Sequence, residues 1–569
     1  MHSSKKILVI GVDAATLDLI RPWCDEGSLP NLQGFLEQGA YGRLNSVPNW
    51  NSAPAWSSMV TGVNPGKHGI FWFGQYKPNS YQYEYVNASY RDGETVWQLM
   101  KTVGKKAVVV NVPISYPAND SADVHIAGLD APGVDDPRFS HPPGLVTGLH
   151  TQLGEYIIEP GTPGFYKAGR LDQAVDRLHS TIDSRLTYAS YFMDQRAWDF
   201  FMVVFTAVDS AQHFFWKFMR PEGFAIPDDE IRKHEHVIRD VYAHTDEAIG
   251  RLLRLAGPST TVLVVSDHGG EVDGKAHLLP VWLEQMGMLG YRDRERASQS
   301  RGALLQELVA RMLVTGYGLV DRRAGRAFKL QLARRLPALR RRAEAHMSFS
   351  RIDWQRTKAF TDGKRPDIWI NLIGRFPLGI VQPGREYDEV CEAIREQFLK
   401  MRDGRSGARA VKEVFRKEEV YHGPHLDKAP DLSVQWMPNL PAQALVLGGT
   451  TAADLQDRIR LTPMVAGASG GHSQYGILFA KGPHIRSGLD FGTAEITDVA
   501  PTILHLAGMA APEYMDGRVL TEMFDEESLS SPLIRTESDR IEASGIQTPY
   551  SEEDADTIAD RLRGLGYVE

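Results

Sequence analysis

The sequence predicts an α/β fold in which a central, mostly parallel sheet is covered by helices on both faces. Short runs rich in Val and Ile recur along the chain, and each run is apolar without alternation, as in strands that are buried on both faces. Helix-like stretches, such as 171–196 and 229–255, lie between these runs. Strand and helix patterns therefore alternate, which is typical of an α/β sheet.

The strand-like runs share an apolar body that ends in a polar residue. In the first half of the chain the clearest runs are 6–13, 106–113, 198–209 and 260–270. Similar runs return at 367–373, 432–437 and 475–480. We therefore expect the C-terminal third of the chain to complete the same sheet.

The composition changes between these two parts of the chain. Residues 291–355 are helical in pattern and rich in arginine, with nine Lys or Arg and no Asp or Glu from Arg322 to Arg342. We predict an inserted cap, which is either a solvated helical face or a mobile element that attracts anionic substrates or an acidic membrane surface. The predicted order is a first core part, the cap, a second core part and an acidic tail with a short helix, at 1–290, 291–355, 356–525 and 526–569.

Composition excludes several classes of protein. The 569 residues are 42% hydrophobic and 24% charged with a net charge of −9, which is ordinary for a globular protein and argues against a disordered chain or a basic nucleic-acid binder. The two cysteines, Cys24 and Cys391, are too far apart for a disulfide framework or a CxxC metal site. Any metal ion must therefore be held by histidines and carboxylates. Because the composition argues against nucleic-acid binding, the expected partner is a small molecule.

Two apolar stretches bear on location. The N-terminal run meets Asp13 too early for a secretory signal. The longest strongly apolar stretch, 200–208, has nine residues, about half the length of a bilayer-spanning helix. We expect a cytoplasmic protein without a transmembrane segment.

Three of the strand-like runs end in an acid, namely Asp13, Asp209 and Asp267. Because ligands of such sheets gather beyond the carboxyl ends of the strands, we expect these acids to share one site. His213 follows Asp209 by four residues, a spacing that places both side chains on one face of a helix. His268 follows Asp267 directly, at the edge of the sheet.

His472 and Ser52 complete the candidate site. His472 lies on a glycine-rich loop before a later strand. Singly, a histidine or a strand-end acid is more often structural, but together they form ligand sets suited to zinc, with manganese or iron as alternatives. Ser52 lies in a turn of small residues and proline that leads into a helix. It is either the N-cap of that helix or a nucleophile that a base or metal ion activates.

The chain resembles the alkaline phosphatase superfamily, and most closely its type I phosphodiesterase/nucleotide pyrophosphatase branch. Five segments carry the resemblance, in the order GVDAATLDLI, NSAPAWSSMVTGVNPGKHGI, VDSAQH, SDHGG and GGHSQYGILFAKGP. It covers about 5–285 and 355–525 and leaves the arginine-rich stretch without a counterpart.

The resemblance implies hydrolysis of a phosphodiester or related phosphoryl ester through a phosphoserine intermediate. It implies two metal ions, most readily zinc, one held by Asp209, His213 and His472 and the other by Asp13, Asp267 and His268. Ser52 would bridge or face both ions as the nucleophile. The family often uses threonine at this position, and serine keeps the hydroxyl.

One departure from the family concerns substrate binding. The branch commonly supplies an asparagine shortly after the HGI segment, where this chain has Phe71, Trp72 and Phe73. Asn51, Lys67, the cap region or the backbone N–H of Ala53 are candidates to replace that donor. The aromatic residues either form a hydrophobic wall that takes an aryl or nucleobase group, or pack in the core.

Other functions share this pattern of residues. The segment Ser52-Ala53-Pro54-Ala55 imitates a sulfatase signature, but Trp56 replaces its arginine, and histidines suit borderline metals better than calcium. A metal-dependent phosphomutase or phosphotransferase would hold its metal ions with the same kinds of ligand residue. A binding protein on an inactive scaffold is the non-enzymatic alternative. Because no arginine closely follows Ser52 to clamp a second phosphate charge, the sequence favours diesters.

Overall fold

A computed structural model of the chain describes residues 6–222, 224, 226–272, 278–292, 352–362, 365–438, 440, 445–451, 469–526, 535–536 and 547–565. Most of the predicted arginine-rich cap lies outside the described residues. None of the helices in these ranges combines the length and the apolar character that crossing a bilayer requires.

The strands are numbered in chain order: β1 Ile7–Val12, β2 Ala40–Asn45, β3 Gly74–Tyr76, β4 Tyr83–Tyr85, β5 Ala107–Val112, β6 Val124–Ala127, β7 Ser140–His141, β8 Phe200–Phe205, β9 Thr261–Val265, β10 Gly269–Val272, β11 Ala359–Phe360, β12 Asp367–Ile370, β13 Arg402–Asp403, β14 Val411–Arg416, β15 Leu432–Trp436, β16 Leu445–Leu447, β17 Thr450–Thr451, β18 Gly470–Ser473, β19 Tyr475–Lys481, β20 Leu489–Glu495, β21 Ala511–Pro512 and β22 Arg535–Thr536.

The helices are numbered in the same way: α1 Leu17–Asp25, α2 Pro30–Gln38, α3 Ser52–Thr61, α4 Pro65–His68, α5 Val96–Thr102, α6 Leu145–Leu153, α7 Thr162–Lys167, α8 Leu171–Gln195, α9 Ala207–Met219, α10 Asp228–His234, α11 Val237–Ala256, α12 Leu279–Gln285, α13 Arg385–Leu399, α14 Lys417–Val420, α15 Val499–Leu506 and α16 Glu552–Leu565.

The central sheet has nine strands in the order β20-β2-β19-β9-β1-β8-β5-β6-β7. All of them run in one direction except β7 and β19. This confirms the predicted mostly parallel sheet. The predicted helix at 171–196 is α8, whereas the stretch 229–255 is divided into α10 and α11.

Strand β1 shows why the apolar runs do not alternate. All six of its residues are buried. Leu8 and Ile10 lie in the core on one face of the sheet, and Ile7 and Val9 lie in the core on the other. The first core also contains side chains of α8 and α11, and the second contains side chains of α3 and α15. Helices therefore cover both faces, as predicted.

Part of the C-terminal prediction is wrong. The runs at 367–373 and 432–437 supply β12 and β15, which belong to a separate antiparallel sheet in the order β11-β12-β15-β14. This second sheet has its own core, to which α12 and α13 contribute. Strand-like periodicity reports burial but not which sheet a strand joins. Among the described strands that follow residue 355, β19 and β20 are the two that join the central sheet.

The predicted short helix of the acidic tail is α16. Its side chains Ile558 and Leu562 are buried in a cluster that also contains Ala53, Trp72 and Phe73. The helix packs against α7 and β4, and its apolar side chains join the cluster to which Ala53 of α3 also belongs.

Candidate metal centre

Three carboxylates reach one point of the sheet edge. Strands β9, β1 and β8 are adjacent and parallel. Asp13 directly follows β1, Asp267 follows β9 by two residues, and Asp209 lies in the first turn of α9, just after β8. All three side chains are buried. The structure thus brings together the acids that end separate strand-like runs.

Asp209, His213 and His472 form one group of potential metal ligands. Helix α9 holds His213 Nε2 3.3 Å from Asp209 Oδ1. Strand β18 holds His472 Nε2 3.5 Å from the same oxygen. The two Nε2 atoms are 3.0 Å apart. This group is the set that the family resemblance assigns to one metal ion.

Asp13, Asp209 and His268 form a second group, so Asp209 belongs to both. His268 Nε2 lies 3.6 Å from Asp13 Oδ1 and 3.2 Å from Asp267 Oδ2. The predicted second set of Asp13, Asp267 and His268 is therefore in contact, and the structure adds Asp209 to it. Pairing of β10 with β18 sets the rings of His268 and His472 against each other, with centroids 3.9 Å apart.

The hydrogen bonds of the histidines suit a cation. His213 Nδ1 lies 2.8 Å from the carbonyl oxygen of Gly470, and His268 Nδ1 lies 3.0 Å from that of Gly269. Because a carbonyl oxygen can only accept, each Nδ1 carries the hydrogen, and the neutral ring presents a lone pair on Nε2. Asp267 Oδ2 is buried and accepts no hydrogen bond from the described residues. Converging lone pairs of this kind fit a divalent metal ion.

The pKa values of the acids reflect crowding of negative charge. Burial, followed by the charges of Asp267 and Asp209, raises the pKa of Asp13 well above its usual value. Burial, followed by the charge of Asp209, raises the pKa of Asp267 to about 8. Burial also tends to raise the pKa of Asp209, but His213 and His472 hold that pKa well below its usual value. A bound cation would relieve the repulsion among these carboxylates.

Ser52 faces this group from the start of α3. Its Oγ lies 3.1 Å from His268 Nε2 and 3.4 Å from Asp13 Oδ1. Asn51, not Ser52, is the N-cap, because Asn51 Oδ1 accepts a hydrogen bond of 3.2 Å from the N–H of Ala53. The hydroxyl of Ser52 is therefore not the cap of this helix, and the reading of Ser52 as a mere N-cap is wrong.

The same cap decides between two predicted substrate donors. The Ala53 N–H is already used by Asn51 Oδ1. This bond also fixes the orientation of the Asn51 amide, so that Nδ2 is the free end. Asn51 Nδ2 is buried and has no hydrogen-bond partner among the described residues. Asn51 is thus the candidate donor that keeps a hydrogen for a substrate oxygen.

The other predicted substrate-binding residues have different surroundings. Lys67 Nζ donates to the carbonyl oxygen of Tyr514 and lies 2.5 Å from Asp516 Oδ1, so its charge is already paired. Phe71, Trp72 and Phe73 are buried. Their burial matches core packing, and a stacking role in substrate binding stays a prediction.

Two residues that position the site are not among the predicted site residues. The indole of Trp56 donates to Asp13 Oδ2 over 3.2 Å. Its ring lies against Gly11, where a Cβ atom would come within 2.5 Å of the indole. Gln212 donates to the carbonyl oxygen of Ala14, which has a left-handed φ of 62°. Trp56 lies in the Ser52 motif and Gln212 in the DSAQH motif, but only the structure shows their contacts.

Solved structures with a similar chain path include human ectonucleotide pyrophosphatase/phosphodiesterase 5, with 13% identity, a TM-score of 0.46, and coverage of 92% of this chain and 100% of that chain. The murine form of that protein gives the same values. Phosphonoacetate hydrolase from Sinorhizobium meliloti 1021 has 14% identity, a TM-score of 0.49, and coverage of 89% and 95%. Comparison with curated proteins gives no match.

The sequence profile of one family matches residues 7–440, which is most of the chain. The matched range contains six of the seven predicted nucleophile and ligand positions and ends before His472. The resemblance seen in the sequence is thereby confirmed. The chain belongs to the type I phosphodiesterase/nucleotide pyrophosphatase family, and it is an enzyme that hydrolyses phosphoryl esters.

Proposed function

We propose that the protein is a metal-dependent phosphodiesterase that forms a phosphoserine intermediate on Ser52. One observation carries the proposal, namely the contact of Ser52 Oγ with His268 and Asp13 at the edge of a buried cluster of carboxylates and imidazoles. A hydroxyl in such a place has few purely structural uses. The position at the N-terminus of α3 also favours a bound anion.

The reaction consists of two displacements at phosphorus. Ser52 Oγ loses its proton and forms a bond to phosphorus, while the bond to the departing alcohol oxygen breaks and that oxygen takes up a proton. Water then breaks the Ser52 Oγ–phosphorus bond in the same way and restores the serine hydroxyl. The burial of Ser52 and its contacts orient Oγ for the first step.

Two divalent ions fit the two ligand groups, and zinc is the first choice because imidazole and carboxylate together suit borderline metals. When bound, the ions would supply Lewis-acid stabilisation of the oxygens that attack and leave phosphorus. Manganese and iron are the alternatives. Asp209 would contribute to both sites, with His213 and His472 on one side and Asp13, Asp267 and His268 on the other.

The surroundings of Ser52 support a diester preference. No arginine lies within the ten residues of α3, so a second negative charge on phosphorus meets no guanidinium from this helix. Trp56, which stands where a sulfatase would have arginine, is used to hold Asp13. These contacts leave a diester, with a single charge on phosphorus, as the better match.

Substrate choice separates the enzymatic alternatives. We expect bis-p-nitrophenyl phosphate to be cleaved at least about tenfold faster than p-nitrophenyl phosphate or p-nitrophenyl sulfate, judged by kcat/KM. Each compound should be assayed with zinc, manganese and calcium after removal of metals by a chelator. Activity that prefers the sulfate with calcium would identify a sulfatase instead. Absence of turnover with all compounds and metals would favour a binding protein on an inactive scaffold.

The Asn51 amide provides a sharper test of the site. Asn51→Asp and Asn51→Ser both keep an oxygen that can cap α3, but both remove the Nδ2 donor. We expect each to lower kcat by about 10²-fold, because a donor to the non-bridging oxygen contributes mainly in the transition state. The melting temperature of Asn51→Ser should change little, whereas Asn51→Asp adds a buried negative charge and should melt at a lower temperature. Ala substitution at Asn51, which also removes the cap, serves as the comparison. A kcat close to wild type in both variants would show that the amide does not contact the substrate.

A further inference from the structure

A cavity of about 370 Å³ lies between the central sheet and the second sheet. On one side it is lined by the loop that follows β2 and by residues at the end of β20. On the other side it is lined by β15 and by the end of α14. Clefts between two packed units are common ligand sites.

The cavity lies at the same edge of the central sheet as the metal centre. Strands β2 and β20 run parallel to β1, so their carboxyl ends share that edge. Trp50 and Gln474 both line the cavity. Trp50 precedes Ser52 by two residues, and Gln474 follows His472 by two residues. Since each residue spans at most about 3.6 Å, each pair of Cα atoms is within about 7 Å. The cavity therefore borders the chain segments that carry Ser52 and His472.

The wall of the cavity is a row of neutral amides in a fixed orientation. Gln435 Nε2 donates to Gln474 Oε1 over 2.8 Å, and Gln474 Nε2 donates to Asn45 Oδ1 over 2.9 Å. Asn45 Nδ2 in turn donates to Glu495 Oε2 over 2.8 Å. Each member keeps further donors or acceptors beyond these bonds. Trp50, which is half-buried, adds an aromatic surface. Amides that both donate and accept, beside an aromatic face, suit a hydroxyl-rich group.

The charges along the cavity disfavour an anion. Among the described residues that line it, none is lysine or arginine, whereas Glu495 and Asp516 are carboxylates. Asp516 is paired with Lys67 over 2.5 Å and with His422 over 3.0 Å. Lys412 Nζ donates to Gln474 Oε1 over 3.3 Å, so a positive charge beside the amide row offsets the carboxylate of Glu495. The cavity is therefore close to neutral, which favours an uncharged group over a second phosphate or another acidic group.

We propose that this cavity is a subsite of the active site that binds an uncharged, hydroxyl-rich alcohol portion of the substrate, such as a sugar or polyol esterified to phosphate. The proposal rests on the proposed phosphodiesterase function and names its substrate class. It assigns recognition to Gln435, Gln474, Asn45 and Glu495, and the contact surface to Trp50.

Two diesters with the same leaving group test the subsite. Methyl p-nitrophenyl phosphate and glucosyl p-nitrophenyl phosphate differ only in the second alcohol. A difference in the rate of p-nitrophenolate release therefore measures how well the enzyme recognises that alcohol. We expect the wild-type enzyme, loaded with zinc, to show a kcat/KM at least about tenfold higher for the glucosyl diester, mainly through a lower KM. A glucuronyl diester, which carries an added carboxylate, should lose most of this advantage.

Two variants probe the cavity from different sides. Gln435→Leu removes one amide of the row, and Val420→Trp fills the cavity from its half-buried rim. Both should bring the ratio of glucosyl to methyl kcat/KM close to about 1. Gln382→Leu makes the same change as Gln435→Leu at an exposed residue outside the cavity, and it should keep the wild-type ratio. Two variants that both keep the wild-type ratio would place sugar recognition elsewhere and overturn the proposal.

Binding without turnover gives an independent readout. In the Ser52→Ala protein, calorimetry should find the glucosyl diester bound at least about tenfold more tightly than the methyl diester. Equal binding, together with equal kcat/KM in the wild type, would refute the subsite while leaving the phosphodiesterase intact. If the wild-type enzyme instead cleaved neither diester, the proposed function would be refuted.

Discussion

Ser52→Ala is expected to lose at least about 10³-fold in kcat for a phosphodiester while it binds as much metal as the wild type. The reason is that Ser52 Oγ receives the phosphoryl group in the proposed mechanism, whereas each ligand group keeps all of its own side chains in this variant. Turnover of bis-p-nitrophenyl phosphate and metal analysis of the same dialysed samples measure the two effects. The melting temperature should stay near that of the wild type.

Ser57→Ala is the matched control. Ser57 lies on the same helix, α3, and is equally buried, but its hydroxyl has no hydrogen-bond partner among the described residues. We expect this variant to keep full turnover. If Ser52→Ala retained wild-type activity, the nucleophile would have to be another group, and the phosphoserine step would be wrong.

The location of the site follows from a general property of parallel sheets. Asp13, Asp209 and Asp267 each end an apolar run, and the carboxyl ends of parallel strands meet at one edge. Their meeting could therefore be predicted without knowing the order of the strands. The spacing of Asp209 and His213 likewise needs only a helix after the strand, which α9 provides.

Other features depend on contacts that periodicity does not encode. Asp209 belongs to both ligand groups because β8, which precedes it, lies directly beside β1, which precedes Asp13, and the chain sequence does not reveal this strand order. The strands β12 and β15 carry the same apolar signal as those of the central sheet, yet they pair in the second sheet. Whether an aromatic residue such as Trp72 forms a binding wall or a core depends on what covers it. Here α16, from the far end of the chain, packs in the same cluster.

The shared position of Asp209 predicts a difference between two ligand variants. In the proposed two-ion site, Asp209→Asn should lower the content of both metal ions, because its carboxylate belongs to both ligand groups, whereas His472→Gln should lower the content of only one. Loss of a charged oxygen that both ions use is expected to reduce kcat/KM by at least about 10³-fold. Metal analysis after dialysis against a weak chelator, at a series of free zinc concentrations, gives the number of ions held by each variant.

Asp246→Asn separates metal loss from general loss of stability. Asp246 is also fully buried, but it accepts hydrogen bonds from the N–H groups of Asn31 and Leu32 at the start of α2 and contacts neither ligand group. The free energy of unfolding of this variant should be lower by about 1–3 kcal/mol, which a lower melting temperature would show. The variant should nevertheless retain both ions. If Asp209→Asn and His472→Gln instead each lost one ion, Asp209 would serve a single metal ion, and its proposed role in both sites would be wrong.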